Sequence, residues 1–323
     1  MQTLNRKWNC YHIAQNAHYI ATIGTGVSIW DRSTLELLHH FEGFRYLHGG
    51  EFVTEDILAV YTGEQKLYFL QISQKKVLWA VPRPRELCTS GDIRCRHIPG
   101  TQKVACIARG KKGLEEHFLM IADCATQSAL LWRLAGCYRV VEDLVWIEDL
   151  GLAFLSFQAS EKGSYLQCRI LEVEQGGNMS IILEKDGLCD ILGFSGRYLF
   201  VEEQNYQSRK VVAYPLDYSK ANNGIACSEP FLFSLTPKQA RNFLNEELLP
   251  KICWIDEAAG MLAVCDNYNS VGVYDFRKDR KLVEYRNEKA WCAEILDGQL
   301  FIGGCPGFYV QPLEDRKTDG SLC

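Results

Sequence analysis

The chain has 323 residues and a mass of 36.8 kDa, which suits either two ordinary domains or one large repeat architecture. Apolar residues make up 47% and charged residues 23% of the sequence, so the composition is that of a globular protein and excludes wholesale disorder. The formal net charge is only −5, so no overall electrostatic field draws the protein onto nucleic acid or an anionic membrane.

The amino-terminal stretch and the cysteines bear on where the protein works. Residues 8–30 carry no Asp, Glu, Lys or Arg, but polar side chains interrupt the stretch, so it lacks the continuous apolar core of an export signal or membrane span. The 14 cysteines include no C-x-x-C pair and no set with zinc-ligand spacing. We expect reduced thiols in a soluble cytoplasmic protein that needs no metal or other cofactor and enters no membrane.

Short β-prone runs separated by turn residues dominate the chain up to residue 235. The first clear copy of this pattern has runs at 19–23, 27–31 and 35–38. Similar copies have runs at 57–61, 67–70 and 77–79, and late in the chain at 261–264, 271–275 and 281–284.

The copies recur at a nearly regular interval. The end of the third run marks each copy, and successive marks lie 36 to 59 residues apart, at Asp31, Gln71, Asp123, Glu172, Leu216, Asp275 and Gln311. This interval is near the period of a four-stranded propeller blade, which buries both of its faces only in a closed ring. The sequence therefore predicts an all-β, seven-bladed β-propeller with four-stranded antiparallel blades over residues 1–323. A pair of β-sandwiches is the alternative.

In period and strand pattern the chain resembles the WD40-type β-propellers. Trp30-Asp31 is a true WD dipeptide and Tyr274-Asp275 is a near copy, whereas no copy has a clear Gly-His pair. The resemblance implies a WD40-like architecture that serves as a scaffold for protein binding. The last copy lacks a fourth strand, which we expect residues 2–7 to supply, and a polar tail follows over about 314–323.

The main departure from the repeat lies between the fifth and sixth copies, where we predict a helical insertion over about 236–249. Thr236-Pro237-Lys238-Gln239 combines an N-cap, a proline at the first helical position and a capping-box glutamine, and Pro250 ends the segment. Phe243, Leu244 and Leu248 would then share one face of the helix. This face either packs on the propeller rim or docks a partner.

A basic sector covers residues 83–112, where eight basic side chains stand against Glu86 and Asp92. In a blade with strands A to D, the B–C loops and the D–A connections to the next blade emerge on one face. That face also holds the B–C loops that look longest, at 158–164, 202–209 and 266–270. The candidate partner-binding residues of the basic sector all belong there: Arg83, Arg85, Arg109, Lys111 and Lys112.

Linear motifs for catalysis are missing. All seven histidines precede residue 118, residues 193–197 fail the G-x-S-x-G pattern at its last position, and no H-E-x-x-H, P-loop or Rossmann glycine pattern occurs. A propeller enzyme can, however, gather its groups around the axial channel without any linear motif.

We therefore expect a non-catalytic platform that binds protein partners on the loop-rich B–C/D–A face. The first alternative is a hydrolase or lyase with an axial-channel site, which titratable groups converging on the axis would favour. The second is phosphate or nucleic-acid binding by the basic sector, which steep salt dependence would favour.

Overall fold

The computed structural model describes residues 1–313 except 92, 113–115, 135–139, 148–150, 161–162, 173–177, 187–189, 196, 206–207, 218–225, 228–230, 234–239, 242–246, 249–250, 267–269 and 287–289. Within these residues the regular structure is entirely β-strand, arranged as a propeller-like ring of small antiparallel sheets. The described part of the chain contains no helix long and apolar enough to cross a membrane.

The strand β1 (Gln2–Asn5) begins the chain, and four sheets of four antiparallel strands follow in chain order. They are β2–β5 (Cys10–Gln15, Tyr19–Gly24, Val27–Asp31, Leu37–Phe41), β6–β9 (Leu47–Phe52, Ile57–Thr62, Leu67–Gln71, Lys76–Ala80), β10–β13 (Arg94–His97, Lys103–Arg109, His117–Asp123, Ser128–Leu134) and β14–β17 (Val140–Ile147, Gly151–Ser160, Gly163–Glu172, Asn178–Asp186).

The next sheet has five strands, and a two-stranded pair separates it from the last two sheets. The five strands are β18–β22 (Asp190–Phe194, Tyr198–Asn205, Ser208–Asp217, Ala226–Cys227, Phe231–Phe233), and the pair is β23–β24 (Ala240–Arg241, Glu247–Leu248). The last sheets are β25–β28 (Lys251–Asp256, Met261–Asp266, Ser270–Asp275, Arg280–Arg286) and β29–β31 (Ala290–Leu296, Gln299–Gly304, Gly307–Pro312), the latter completed by β1.

The sequence predicted seven four-stranded blades, whereas the described residues form six four-stranded sheets. The departure is the sheet of β18–β22. There the outer edge of β20 is shared by two short strands: β21 pairs with Leu216 and Asp217, and β22 pairs with Val211–Ala213.

The innermost strands form a closed ring. β2, β6, β10, β14, β18 and β25 contact one another in this order, and β29 contacts both β25 and β2. Hydrogen bonds close the ring where the two ends of the chain meet. There β1 pairs with β31, with Gln2 opposite Val310 and Thr3 opposite Tyr309. Residues 2–5 thus supply the missing fourth strand of the last sheet, as predicted.

The hydrophobic core lies in layers between neighbouring sheets. Ile23 and Ile29 of β3 and β4 pack with Leu58 and Val60 of β7 in one such layer. Strands B and C of a sheet are covered on both faces, so they need apolar side chains at consecutive positions rather than at alternate ones. This explains the continuous apolar runs in the sequence.

The WD dipeptide links the first sheet to the last. The Trp30 indole N–H donates to the Thr22 hydroxyl at 3.1 Å, and its ring lies 5.4 Å from that of Phe308. The Asp31 carboxylate accepts the backbone N–H groups of Ser33 and Thr34 at 2.9 and 2.8 Å, which shapes the following turn. Hydrogen bonds from the Ser33 side chain and from this backbone lower the pKa of Asp31.

The predicted helix at 236–249 is wrong. Ala240 pairs with Leu248 and Arg241 with Glu247 in an antiparallel ladder, which is incompatible with a continuous helix over these positions. A helix of this length is marginal in water by itself, so local capping signals are easily overridden by strand pairing. Residues 242–246, which include Phe243 and Leu244, and the tail 314–323 lie outside the described residues.

Two B–C loops are shorter than the sequence suggests. The ladders continue to the pairs Ser160–Gly163 and Asn205–Ser208, so most of residues 158–164 and 202–209 are strand. In the third expected loop, 266–270, Asp266 pairs with Ser270, and residues 267–269 lie outside the described residues. These segments contain many polar residues, which are typical of loops. Backbone hydrogen bonds can nevertheless extend an antiparallel ladder, because they do not depend on the exposed side chains.

The A–B turn of the last sheet is a tight hairpin. Leu296 pairs with Gln299 across the two-residue turn Asp297-Gly298, whose φ angles of 49° and 72° are those of a type I′ hairpin turn.

Deleting residues 2–5 tests the closure of the ring. We expect the free energy of unfolding to fall by about 3–5 kcal/mol, because the ladder to β31 and the packing of Leu4 are both lost. Urea denaturation followed by tryptophan fluorescence measures the change. Arg6→Ala, an exposed position just beyond β1, is the control and should shift stability by less than about 0.5 kcal/mol. Equal denaturation midpoints for the deletion and the native protein would contradict this account.

Candidate functional site

The basic sector forms where three connections meet on the B–C/D–A face. These are the D–A connection 81–93, the B–C loop 110–116 and the B–C turn 62–66 of the preceding sheet. The Cys88 N–H donates to the Arg109 carbonyl at 3.1 Å, and the Lys111 N–H donates to the Glu86 carbonyl at 3.0 Å. The D–A connection and the B–C loop are therefore joined by backbone hydrogen bonds.

Gln65 ties the third connection to the other two. Its side chain is buried, its carbonyl oxygen accepts the Arg109 N–H at 2.7 Å, and its amide donates to the Cys88 carbonyl at 3.1 Å. The Gly91 N–H completes the junction by donating to the Gly63 carbonyl at 2.9 Å. One buried amide thus bridges two neighbouring sheets beneath the basic residues.

The charged groups project from this junction. Arg83, Arg85, Lys111 and Lys112 are exposed, whereas Arg109 is half-buried and donates through Nη2 to the Ser90 carbonyl at 3.1 Å. All five candidate residues of the basic sector therefore belong to one surface of the described structure.

Two further basic residues join this surface. Arg45 lies in the preceding D–A connection, and Lys66 lies in the B–C turn 62–66. The positive charges of Lys66, Arg45 and Arg83 all help to lower the pKa of Glu64. The Lys66 ammonium donates to the Glu64 carboxylate, which lowers the pKa of Glu64 and raises that of Lys66. The sequence reasoning missed both residues, although their positions in a D–A connection and a B–C turn place them on the same face.

The remaining basic residues of 83–112 lie elsewhere. Arg94 and Arg96 line the interior of the ring, and Lys103 begins β11 at the opposite, A–B face. The basic surface is consequently smaller than the composition of the segment implies. Of the other predicted partner-binding residues, Leu248 lies in β24, and Phe243 and Leu244 are outside the described residues, so the structure does not join them to this surface.

Two cavities with shared lining residues lie at the axis of the ring. The mouth cavity, of about 500 Å³, reaches Pro99, Ser195 and Glu257, which follow the ends of β10, β18 and β25. These residues belong to A–B turns, so the mouth cavity opens on the face opposite the basic sector. Trp146 and Trp254 also line it.

The inner cavity, of about 190 Å³, shares Glu51, Arg96, Ile252 and Cys253 with the mouth cavity. Glu51 and Arg96 form an ion pair at 3.0 Å, and Glu51 also accepts the backbone N–H of His97. Arg96 further donates through Nε to the Leu144 carbonyl at 2.8 Å. These contacts run from β6 through β10 to β14 and hold the guanidinium in place.

Glu294 lies on the other side of the inner cavity. Its carboxylate accepts the Gln15 side-chain amide at 2.7 Å. Burial raises the pKa of Glu294 to about 7, and the hydrogen bond from Gln15 and the charge of Arg32 act against that rise. This carboxyl therefore changes charge near neutral pH.

Thiols also face the axis. Cys95, Cys253 and Cys292 line the inner cavity. Burial raises the pKa of Cys95, and the hydrogen bond with Cys10 and burial raise that of Cys292, so these two are neutral thiols. Among the described residues, no group of three or more His, Cys, Asp or Glu side chains is arranged to hold a metal ion.

Comparison with known proteins bears on the fold. No family model and no curated protein matches the sequence. Among solved structures, the chain is similar to the crystal structure of the computationally designed Ika8 protein, with a TM-score of 0.60 and 11% identity over 97% of this chain and 100% of that one. At this identity the likeness shows the β-propeller-like fold alone.

Gln65→Ala tests the junction beneath the basic sector. We expect a loss of about 2–3 kcal/mol in the free energy of unfolding, because the Arg109 N–H and the Cys88 carbonyl lose their buried partner. Chemical denaturation measures the loss. Lys111→Ala on the same surface should change stability by less than about 0.5 kcal/mol, and equal effects of the two variants would refute a bridging role for Gln65.

The raised pKa of Glu294 makes the stability of the protein depend on pH. The folded-state value of about 7 exceeds the ordinary value of 4.5, so the contribution of Glu294 to the free energy of unfolding is greatest below pH 4.5 and is lost as the pH rises through 7. Glu294→Gln keeps an acceptor for Gln15 but carries no charge. From pH 5 to pH 8 we expect the native protein to lose about 2 kcal/mol relative to this variant, measured by denaturation at each pH. Parallel pH profiles would show that Glu294 titrates normally.

Proposed function

We propose that the protein is a non-catalytic platform that binds an acidic protein partner through the basic sector of its B–C/D–A face. The observation that supports this proposal is the junction around Gln65, which fixes three connections and presents cations from each of them. Binding residues often lie on connections that a rigid scaffold holds in place. A preorganised surface also loses less conformational entropy on binding.

The kind of partner follows from the charges. Arg45, Lys66, Arg83, Arg85, Lys111 and Lys112 are interspersed with Glu64 and Glu86, so the surface is a mixed one with a positive excess. A mixed surface suits a protein with a complementary charge pattern better than the uniform phosphate array of nucleic acid. The overall charge of −5 also opposes non-specific binding to nucleic acid.

We also infer that the ring is a seven-bladed propeller of WD40-like type. The sheet of β18–β22 supports this count, because its first strand contacts both β14 and β25 and so takes one place in the inner ring. Its two outer strands would then share the role of a single fourth strand.

A second candidate function is an enzyme, a hydrolase or lyase, acting at the axial channel. The observation in its favour is that His12, Glu51, Arg96 and Glu294 converge on the inner cavity. Convergent titratable groups in a concave site are the usual setting for catalysis. Carboxylate, imidazole and guanidinium groups supply proton transfer and anion stabilisation, but they do not define a reaction.

Charge reversal of the basic sector tests the platform. The variant Arg83→Glu/Arg85→Glu/Lys111→Glu/Lys112→Glu is compared with the native protein for binding of a fluorescent acidic decapeptide. We expect at least a tenfold loss of affinity, since each exposed pair contributes up to about 1 kcal/mol. The matched control reverses four cations on the opposite side of the sheets, Lys75, Lys76, Lys103 and Arg280.

A salt series with a single-stranded oligonucleotide of equal charge distinguishes the partner classes. Tighter binding of the oligonucleotide than of the peptide, with a steep salt dependence, would replace the acidic protein by nucleic acid as the partner. Equal peptide affinity for the native protein and both fourfold variants would refute the platform at this face.

A further inference from the structure

Two cysteines stand directly opposite each other in the third sheet. Cys95 of β10 pairs with Cys106 of β11, and the Cys95 thiol donates to the Cys106 sulfur at 2.9 Å. This separation exceeds the length of a disulfide bond by only about 0.9 Å. A small rotation of the two side chains therefore brings the sulfurs within bonding distance.

The backbone around this pair suits a covalent cross-link. The Ile98 N–H donates to the Lys103 carbonyl at 3.0 Å, so these two residues form a hydrogen-bonded pair at the end of the β10–β11 ladder. Hydrogen-bonded and non-hydrogen-bonded pairs alternate along an antiparallel ladder, which makes Cys95 and Cys106 a non-hydrogen-bonded pair. The Cα atoms of such pairs are about 4.5 Å apart, inside the range of about 4.4–6.8 Å that disulfides require. The cross-link therefore needs no backbone movement.

The two thiols differ in access. Cys95 lines the inner cavity, which shares lining residues with the mouth cavity. Cys106 is fully buried in the apolar layer between the second and third sheets, together with Phe69 and Met120. A reagent at the axis therefore meets Cys95 first, with Cys106 behind it. The inner cavity of about 190 Å³ restricts that reagent to a small molecule.

We propose that Cys95 and Cys106 form a site of reversible oxidation, at which a small hydroperoxide converts the two thiols to a disulfide. The Cys95 sulfur attacks one oxygen of the hydroperoxide, the O–O bond breaks, and Cys95 becomes a sulfenic acid while water or an alcohol leaves. The Cys106 sulfur then attacks the Cys95 sulfur, so that the S–S bond forms, the S–O bond breaks and a second water leaves. The two thiol protons end in these oxygen products, and the hydroperoxide is reduced by two electrons.

The two steps differ in speed. Burial and the neighbouring Cys106 raise the pKa of Cys95, and the charge of Arg94 acts against that rise. Because the thiolate is the nucleophile, the first step is slow at neutral pH. The second step needs no diffusion, since the sulfur separation of 2.9 Å is comparable to the about 3–3.5 Å of reacting atoms held for attack. Cys106 therefore captures the sulfenic acid before it is oxidised further, and the pair responds to prolonged exposure.

Cys10 and Cys292 provide an internal comparison. Cys292 also lines the inner cavity, so the same reagent reaches it. Its sulfur is 3.9 Å from that of Cys10, and the two residues belong to β29 and β2 of different sheets. No ladder holds this pair in opposite positions. Spacing and strand pairing, rather than access, therefore favour the bond between Cys95 and Cys106.

The test exposes the full chain to hydrogen peroxide overnight under native conditions, followed by alkylation of the remaining thiols in urea and digestion without a reductant. Trypsin cuts after Arg96 and Lys103, so Cys95 and Cys106 lie in separate peptides that only the disulfide joins. Mass spectrometry measures the joined peptides. We expect at least tenfold more Cys95–Cys106 peptide than Cys10–Cys292 peptide, and its loss after treatment with dithiothreitol.

Oxidation of the unfolded chain separates the effect of the fold from that of proximity in sequence. Cys88 is closer to Cys95 in sequence than Cys106 is. In urea we expect Cys88–Cys95 and Cys95–Cys106 cross-links in similar amounts, whereas the native protein should form at least tenfold more of the second. The same ratio in both conditions would show that the ladder does not select the pair.

Three outcomes with the native protein would overturn the proposal without any variant. The first is the absence of a Cys95–Cys106 peptide. The second is a predominance of the Cys10–Cys292 peptide, and the third is a sulfinic or sulfonic acid at Cys95 beside an unmodified Cys106.

Variants assign the order of the two steps. Cys106→Ala should accumulate sulfinic or sulfonic acid at Cys95, because the second thiol is missing. Cys95→Ala should leave Cys106 at least tenfold less oxidised than in the native protein, because Cys106 is buried. Cys292→Ala removes another thiol of the inner cavity and is the matched control, which should form the disulfide as the native protein does. Equal oxidation of Cys106 with and without Cys95 would overturn the order. The peptide map of the native protein decides the pair even if a variant does not fold.

Discussion

The pairing of β1 with β31 is the constraint on which the rest of the structure depends. Each sheet buries its faces only against its neighbours, so an open row would leave two apolar faces in water. Joining the first residues of the chain to its last strand removes both faces at once. The Trp30 ring against Phe308 and the Leu4 side chain in the same cluster give this closure an apolar component as well.

Closure also creates the axial cavity and determines its chemistry. Once the inner strands form a ring, polar side chains near the axis hydrogen-bond to the next sheet: His12 to Gly50, Glu51 to Arg96, and Glu294 to Gln15. These contacts satisfy buried polar groups, as burial requires. Several of the same side chains line the inner cavity. A variant at these positions therefore has to be examined for stability as well as for any effect on binding.

The two candidate sites lie on opposite faces because of chain direction. Each first strand runs from the B–C/D–A face, which carries Arg83, Arg85 and Lys111, to the A–B face, where the mouth cavity opens beside Ser195 and Glu257. Variants of the basic sector and variants of the axial cavities can therefore be examined separately.

The sequence by itself determined the strands, their approximate period, the closing strand at residues 2–7 and the clustering of Arg83, Arg85, Arg109, Lys111 and Lys112, because apolar runs and turn residues are local signals. It failed at 236–249, where capping residues indicated a helix but Ala240 and Arg241 pair with Leu248 and Glu247 as strands. It also failed at the B–C loops 158–164 and 202–209, since ladder hydrogen bonds do not depend on exposed side chains. Only the tertiary structure decided that Gln65 joins two sheets and that Arg94 and Glu294 face one cavity, because those contacts join residues that are far apart in the chain.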